Sequence, residues 1–163
     1  MYKRRSILRA LVAGAAAGLA ASWALGQTHG LVLRLIGAEN SQQTSEDPTV
    51  IVARAIARPI LRRDFNASEK KIAGSIVHYA FGASMATAYS VAAEFFPPIT
   101  FGKGVPFGAA LWVGAHVIAV PAFGLAPPIT HSKTSSETAE FVAHLSYGAV
   151  TELIRAPLRS LLD

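Results

Sequence analysis

Four long apolar runs constrain the fold of this chain more than any other feature of its sequence. They cover residues 10–26, 72–93, 104–125 and 138–154, and each has the roughly 17 to 25 mostly apolar residues that a helix needs to cross a bilayer. The composition agrees, because 52% of the 163 residues are hydrophobic and only 15% are charged. The sequence therefore predicts an all-α fold, a membrane four-helix bundle that forms a single integral membrane domain.

A soluble bundle of buried helices is the alternative to this prediction. A helix at the surface of a soluble protein keeps a polar face toward water, and the second and third runs have almost no such face. The membrane interpretation is therefore favoured.

Local signals mark the ends of these helices. Asn66 and Glu69 have the spacing of a capping box ahead of the second run, and Thr134 and Glu137 have the same spacing ahead of the fourth. The motif FPP ends the second run and GLAPP ends the third, because proline disfavours helical backbone in the residue before it.

The first run could be either a membrane helix or a cleaved signal peptide. A basic stretch precedes it, and Ala24 and Gly26 would suit a cleavage site. Against cleavage, small residues recur at every fourth position and form the kind of stripe that packs membrane helices together. These residues are Ala10, Gly14, Gly18 and Ser22. We therefore expect the first helix to be retained.

A further helix is predicted between the first two runs, over about residues 48–63. Asp47 offers an N-cap, and Pro48 suits the first helical position. Three arginines recur at every fourth position and would share one face, and these are Arg54, Arg58 and Arg62. The pattern is typical of an interfacial amphipathic helix on lipid headgroups, and a solvated basic face is the equal alternative.

Basic residues set the predicted orientation. The N-terminal tail carries them at positions 3, 4, 5 and 9, which favours a cytoplasmic N-terminus under the positive-inside rule. Four spans then return the C-terminus to the same side. Lys70 and Lys71 in the first loop argue the other way, and an N-in, C-in, multi-pass topology remains the prediction.

Each of the last three runs contains one histidine, namely His78, His116 or His144. Their positions along antiparallel spans place all three roughly 9 to 13 Å from the same membrane face. Ionisable groups inside a membrane are costly and commonly functional. We therefore expect an intramembrane polar cluster, which includes Glu140 because this residue precedes His144 by one helical turn. The alternative is that each histidine bonds locally and only helps helix packing.

The histidines share helical stripes with small residues, so each is expected to face a neighbouring helix rather than lipid. The glycines predicted to make close helix contacts are Gly14, Gly18, Gly74, Gly82, Gly108 and Gly148. Three more polar residues lie at helix ends. Glu94 is expected to anchor its helix at the interface, and Glu152 and Arg155 are expected to form an i,i+3 pair at the membrane edge.

Several chemistries are excluded or unsupported. The chain has no cysteine, which excludes disulfides, thiolate metal sites and cysteine nucleophiles. It contains no phosphate-binding loop, zinc-protease motif or nucleophile elbow, so no enzyme activity is predicted. The net charge of +5 comes from residues that flank apolar runs, so no nucleic-acid partner is expected.

Three segments carry a family resemblance. They read HYAFGASMATAYSVAAEFFPPITFGKG, HVIAVPAFGLAPP and SETAEFVAHLSYGAVTELIR. Together they resemble the YagU family of bacterial inner-membrane proteins, whose activity is not established, over about residues 75–159. The resemblance implies a small multi-pass protein of the inner membrane with a link to acid tolerance, and it supplies no catalytic residue.

Two functions follow as hypotheses. In the first, a non-enzymatic inner-membrane protein without a cofactor uses its histidine and glutamate cluster to respond to protons, in support of acid tolerance or envelope integrity. In the second, the three histidines bind haem or zinc in a membrane redox subunit. The lipid bilayer is the expected partner in both, and a homo-oligomer or a larger membrane complex is the expected assembly.

Overall fold

The computed structural model describes residues 6–38, 46–127, 130 and 133–162. Helix α1 covers Ile7–Leu35, α2 Pro48–Leu61, α3 Ala67–Phe95, α4 Val105–Leu111, α5 Val120–Ala122 and α6 Thr134–Leu161. A 3-10 segment, Pro97–Gly104, precedes α4, and a π-helical segment, Trp112–Ala119, joins α4 to α5. No strand occurs in the described ranges, so the predicted all-α class is confirmed. The basic tail and most of the polar loop before α2 lie outside these ranges.

Three of the predicted spans lie within longer helices, and the third overlaps a helical region that ends at Ala122, three residues before the predicted span does. The first, second and fourth runs lie inside α1, α3 and α6, and the third corresponds to Pro97–Ala122. By length and hydropathy, two of the described helical regions can cross a membrane, namely α1 and Pro97–Ala122. Helices α3 and α6 are as long but more polar. The four-span arrangement therefore stays a prediction.

Contacts between the long helices show how they run relative to one another. The contacting pairs are Gly14–Thr87 and Gly18–Ala83 between α1 and α3, Gly82–Tyr147 and Glu94–Arg159 between α3 and α6, and Gly104–Gly148 and Gly108–His144 between α4 and α6. Helix α1 is thus antiparallel to α3, α3 is parallel to α6, and α4 is antiparallel to α6.

Both ends of the bundle can be defined from these directions. The start of α1 and the ends of α3 and α6 lie together, where Ser6, Glu94 and Arg159 meet. We call this the Glu94 end. The opposite end, where His116 meets Glu137, is called the histidine end.

The interior of the bundle is made of small residues, and many large apolar side chains point outward. The buried apolar residues are Ala10, Ala13, Ala17, Ala21, Val50, Ala53, Ala86, Tyr89, Ala93, Ala139, Ala143 and Tyr147. By contrast, Leu19, Trp23, Phe81, Ile118 and Leu153 are between 45% and 61% exposed. Soluble domains bury large aliphatic side chains, whereas helices in lipid pack through small residues that let backbones approach. Small residues inside and large apolar residues outside therefore indicate a membrane environment.

The six glycines predicted at helix contacts lie where a neighbouring element passes closely. Their neighbours are Thr87 for Gly14, Ala83 for Gly18, Val50 for Gly74, Ser22 for Gly82, the backbone of His144 for Gly108, and the backbone of Gly104 and Gly108 for Gly148. At the crossing of α4 and α6, backbone atoms occupy the space that a side chain would need. A larger residue at Gly148 would push the two helices apart.

One of the two predicted capping boxes forms. At the start of α3, the Glu69 backbone N–H donates to the Asn66 side chain (2.9 Å), and the Asn66 N–H donates to the Glu69 carboxylate (2.8 Å). The box predicted for α6 is wrong, because the N-cap is Lys133, which makes no side-chain cap. Glu137 instead contacts His116 across the bundle. The Glu137 carboxylate therefore contacts His116, 21 residues earlier in the chain, and does not cap the start of α6.

Helix α2 forms in the first loop, where a helix over about residues 48–63 was predicted. Asp47 caps its start by accepting a hydrogen bond from the Thr49 N–H (2.8 Å). The helix ends at Leu61 because Arg62 adopts a left-handed conformation with a φ of 53°. Arg62 therefore lies outside the helix and leaves the predicted arginine stripe.

The other two arginines of that stripe have different surroundings. The Arg54 guanidinium lies 2.6 Å from Glu46 and 2.8 Å from Asp64, so this side chain joins the segments that flank α2. Arg58 is exposed, and Ile60 on the outer side of α2 is 78% exposed. The structure does not form a continuous stripe of three arginines.

We predict that Gly148→Ala destabilises the bundle by about 2 kcal/mol or more, because the added methyl group would collide with the backbone of Gly104 and Gly108. Gly26→Ala is the control, since a Cβ at Gly26 meets no atom within 4 Å. This control should leave the stability unchanged or raise it slightly. Thermal unfolding in detergent measures both variants, and equal melting temperatures would contradict the close crossing.

We also predict a pH-dependent contact at the junction of α2 and α3. The Arg63 guanidinium, and next the Asn66 N–H, lower the pKa of Glu69 from 4.5 to about 2. Because the folded-state pKa is depressed, the contact stabilises the junction above pH 4.5 and is lost as the pH falls toward 2. In an NMR titration of the Glu69 carboxyl, Arg63→Gln should raise the midpoint, whereas Arg58→Gln should not. An ordinary midpoint in the parent protein would refute the contact.

Candidate functional site

Imidazole and carboxylate groups gather at the histidine end. The groups are His29 on α1, His78 on α3, His116 on the π-helical segment, and Glu137, Glu140 and His144 on α6. The rings of His116 and His144 lie 6.2 Å apart, measured between their centroids. The sequence analysis predicted that His78, His116 and His144 belong to a polar cluster, and it did not include His29.

Glu137 links α6 to the π-helical segment. Its Oε2 lies 3.1 Å from the Nε2 of His116. Trp112 stacks on the same imidazole, with 6.2 Å between centroids, and packs edge-on against Phe141. The imidazole is therefore held between a carboxylate and an indole, on a π-helical turn of a kind that often occurs at functional sites.

Glu140 lies between histidines of two helices. Its carboxylate is 3.4 Å from the Nε2 of His29 and 3.8 Å from the Nδ1 of His144. His144 donates its Nδ1 hydrogen bond to the Glu140 backbone carbonyl (2.8 Å), because a carbonyl oxygen can only accept. The side-chain contact predicted from the i,i+4 spacing is thus loose. His29 follows Ser22 by two helical turns, and that spacing could have revealed it.

His78 bonds to the backbone of a neighbouring helix. Its Nε2 donates to the Ser22 carbonyl of α1 at 3.1 Å. His78 of α3 lies at about the same level as His144 of α6. One helical turn after each histidine, the Tyr147 hydroxyl of α6 donates to the Gly82 carbonyl of α3 (2.5 Å), and the two helices are parallel.

A pocket of about 250 Å³ between α2 and α3 reaches the His78 ring. Its polar lining includes Asp47, Lys71 and Ser75. The histidine end is therefore approached from the side on which α2 packs.

These groups do not form a metal site. Among the residues that the structure describes, no group of three or more histidine, aspartate or glutamate side chains converges so as to hold a metal ion. The hypothesis that His78, His116 and His144 act together as a metal ligand set does not fit this geometry.

A second polar cluster is buried toward the Glu94 end. Arg155 donates to Glu152 through its Nε (2.8 Å) and a terminal nitrogen (2.7 Å), and the two residues are 7% and 9% exposed. The Tyr89 hydroxyl of α3 also donates to Glu152 (3.0 Å). The predicted i,i+3 pair therefore forms, but it lies inside the bundle rather than at its edge.

Glu94 forms an ion pair across the bundle, a contact that the sequence prediction of an interfacial anchor did not include. The Arg159 guanidinium lies 2.5 Å from the Glu94 carboxylate, and the Ser6 N–H also points to it (3.4 Å). Arg159 is only 3% exposed, and such buried charges are tolerated when they are paired. Arg159 follows Glu152 by seven residues, or two helical turns, so the two side chains share one face of α6. This spacing could have indicated that the charged face continues beyond the apolar run.

Comparison with known proteins agrees with a membrane protein of unknown activity. Residues 47–153 match the model of a family described as protein of unknown function (DUF1440). The chain is 33% identical over 85 residues to the inner membrane protein YagU of Escherichia coli (strain K12). That match covers 52% of this chain and 42% of the relative, so less than half of the relative's length is spanned. No solved structure matches the chain.

Proposed function

Because the chain belongs to the YagU-like family of proteins of unknown function (DUF1440), we propose that it is a non-enzymatic, multi-pass inner-membrane protein whose histidine end responds to protons. In this proposal the response supports acid tolerance or envelope integrity. The lipid bilayer is its partner, and it assembles as a homo-oligomer or within a larger membrane complex.

Helix directions support four spans with both termini in the cytoplasm. The start of α1 and the end of α6 lie at the same end of the bundle, as four alternating spans require. Arg9, Arg155 and Arg159 belong to that end, which the proposal assigns to the cytoplasm under the positive-inside rule, although Lys70, Lys71 and Lys133 at the opposite end argue the other way. The histidine end then faces the outside of the cell membrane, where the pH falls first under acid stress.

One observation carries the proton response, namely that both carboxylates of the histidine end reach histidines on other helices. Glu137 lies 3.1 Å from His116, and Glu140 lies 3.4 Å from His29. Protonation of an imidazole turns such a contact into a charge-assisted pair, and protonation of the carboxylate removes the pair again. The contacts of α6 with α1 and with the π-helical segment therefore depend on pH.

Acidification also reverses the charge of this end. Two carboxylates contact the imidazoles of His29, His116 and His144, so this group is negative when the histidines are neutral and positive when all three are protonated. The rings of His116 and His144, 6.2 Å apart, then repel each other. Asp47, the N-cap of α2, and Lys71 of α3 line the same pocket as His78. A strongly acidic exterior is thus expected to loosen the histidine end while the Glu94 end remains paired.

We predict that Glu140→Gln mimics, at neutral pH, the acid state of the histidine end, because it removes the carboxylate between His29 and His144. Its melting temperature in detergent should lie below that of the parent at a pH where Glu140 is ionised and an adjacent imidazole is protonated, and it should approach that of the parent as acid protonates Glu140. The double variant His29→Gln/His144→Gln leaves Glu140 without an imidazole and should cost about 1 to 3 kcal/mol of stability.

Lys103→Gln is the control for these melts, since it changes an exposed residue away from the histidine end. It should follow the parent at every pH. Parallel curves for the parent and Glu140→Gln would show that the fold does not sense this carboxylate. Survival of acid shock by cells that express the parent, and its loss with Glu140→Gln, tests the link to acid tolerance.

A further inference from the structure

Helix α2 has apolar side chains on two different faces. One face is turned inward, with Val50 packed against Gly74 of α3 and with Ala53 only 6% exposed. The other face carries Ile56 and Ile60, which lie one helical turn apart and are 64% and 78% exposed. Their exposure shows that no described segment of the chain covers this second face, which we call the outer face of α2. Burying such side chains is favourable only against an apolar partner.

The side of α2 opposite the outer face is basic. Arg58 lies two residues from both Ile56 and Ile60, so helical geometry turns its side chain about 160° away from theirs. Arg62 follows the last residue of α2, and both arginines are exposed. The helix therefore combines an apolar face with a basic side, which is the pattern of helices that lie at a membrane surface.

The acidic side chains near α2 are already engaged by other groups. Residues 46–71 contain six basic and four acidic side chains, so the positive charges are in excess. Within the described ranges, neither Arg58 nor Arg62 forms an ion pair, and an external anion can bind both of them. The contacts of the four acids are Glu46 with Arg54 and Lys70, Asp64 with Arg54, Glu69 with Arg63, and Asp47 with the Thr49 N–H.

Within the proposed membrane bundle, α2 lies where the bundle reaches the membrane surface. Val50 packs against Gly74, which precedes His78 of the histidine end by one helical turn. The apolar outside of the bundle extends to this level, because Ile72 and Ile76 of α3 are 61% and 63% exposed. Deeper in the lipid the arginines of α2 would be costly, whereas at this level their long side chains reach the headgroups.

We propose that α2 is an interfacial helix that binds acidic phospholipids. Its outer face enters the acyl chains, and Arg58 and Arg62 bind the headgroup phosphates. The affinity of such helices grows with the buried apolar area and with the negative charge of the lipid. The proposal goes beyond the bilayer as a partner, because it names the lipid class and the residues that select it. It rests on the proposed function only in that the bundle spans a membrane.

A second copy of the chain fits the outer face less well than lipid does. Two copies related by a two-fold axis bring the same surface of each together, so the excess positive charge of one would face that of the other. The outer face, with its two isoleucines, also offers far less than the roughly 800 Å² per partner of a stable protein interface. Acidic lipid, by contrast, supplies both the apolar environment and the negative charge.

Lipid selection by the full-length protein in vesicles tests the proposal. Electron paramagnetic resonance measures how much spin-labelled phosphatidylglycerol, and how much spin-labelled phosphatidylcholine, the protein immobilises at neutral pH. We expect the parent to prefer phosphatidylglycerol. A basic residue near an anionic lipid surface contributes about a fivefold preference, so Arg58→Gln/Arg62→Gln should lower the preference about fivefold or more.

Two further variants separate the contributions of charge and apolar surface. Lys103→Gln/Lys133→Gln removes the same number of charges from exposed positions outside α2, and it should lower the preference far less. Ile56→Ser/Ile60→Ser keeps every charge but removes the outer face, so it should lower the preference as the arginine variant does. All of these side chains are exposed, and circular dichroism should show the same helix content in each variant.

Equal immobilisation of the two lipids by the parent would overturn the proposal, and so would an unchanged preference in the Arg58→Gln/Arg62→Gln variant. A dimer that Ile56→Ser/Ile60→Ser converts to a monomer, without a change in lipid preference, would assign the outer face to a second copy and overturn it as well. Protein that does not float with the vesicles would reject the membrane bundle itself.

The melts of Glu140→Gln keep this result separate from the proposed function. Melts that depend on pH, without a preference for phosphatidylglycerol, would reject lipid binding by α2 alone. A preference for phosphatidylglycerol together with pH-independent melts would reject the proton response alone.

Discussion

The rest of the structure depends on the close crossing of helices at glycine. Lipid tails are as apolar as the side chains themselves, so moving an apolar side chain from lipid into a helix contact gives little free energy. Helices in lipid therefore associate through van der Waals contact between closely spaced backbones. Gly148 provides that contact for α4 and α6, and Gly14 and Gly18 provide it for α1 and α3. The large apolar side chains are thereby left for the outer surface, which is the arrangement that a bilayer accepts.

The same crossings determine which polar groups meet. Once the register of the helices is set, Glu137 lies opposite His116 at the histidine end, and Glu94 lies opposite Arg159 at the other end. Buried ion pairs add little net stability, but they penalise any register in which one partner is left unpaired. The glycine contacts and the ion pairs therefore specify one arrangement, and the proposed proton response uses the pairs that lie at its histidine end.

Hydropathy predicted the helical class and the position of every long helix, and the glycine spacing pointed to the contacts. Hydropathy could not predict the roles of His29 and Arg159. Helices α1 and α6 continue beyond their apolar parts, and hydropathy marks only the apolar parts. Glu137 was assigned to a local capping box, and its actual partner lies 21 residues earlier in the chain. Likewise, the buried role of Glu94 depends on a partner 65 residues away, which local spacing does not reveal.

Accessibility of the outward-facing side chains tests the proposed membrane bundle most directly. The chain contains no cysteine, so single cysteines at Leu19, Phe81, Val113 and Leu153 can carry spin labels without background. In liposomes, we expect all four labels to collide with oxygen dissolved in the lipid and to be shielded from a water-soluble nickel chelate. Ready access of the nickel chelate to the labels at Phe81 and Leu153 would show that α3 and α6 lie in water, and it would contradict a bundle with four spans.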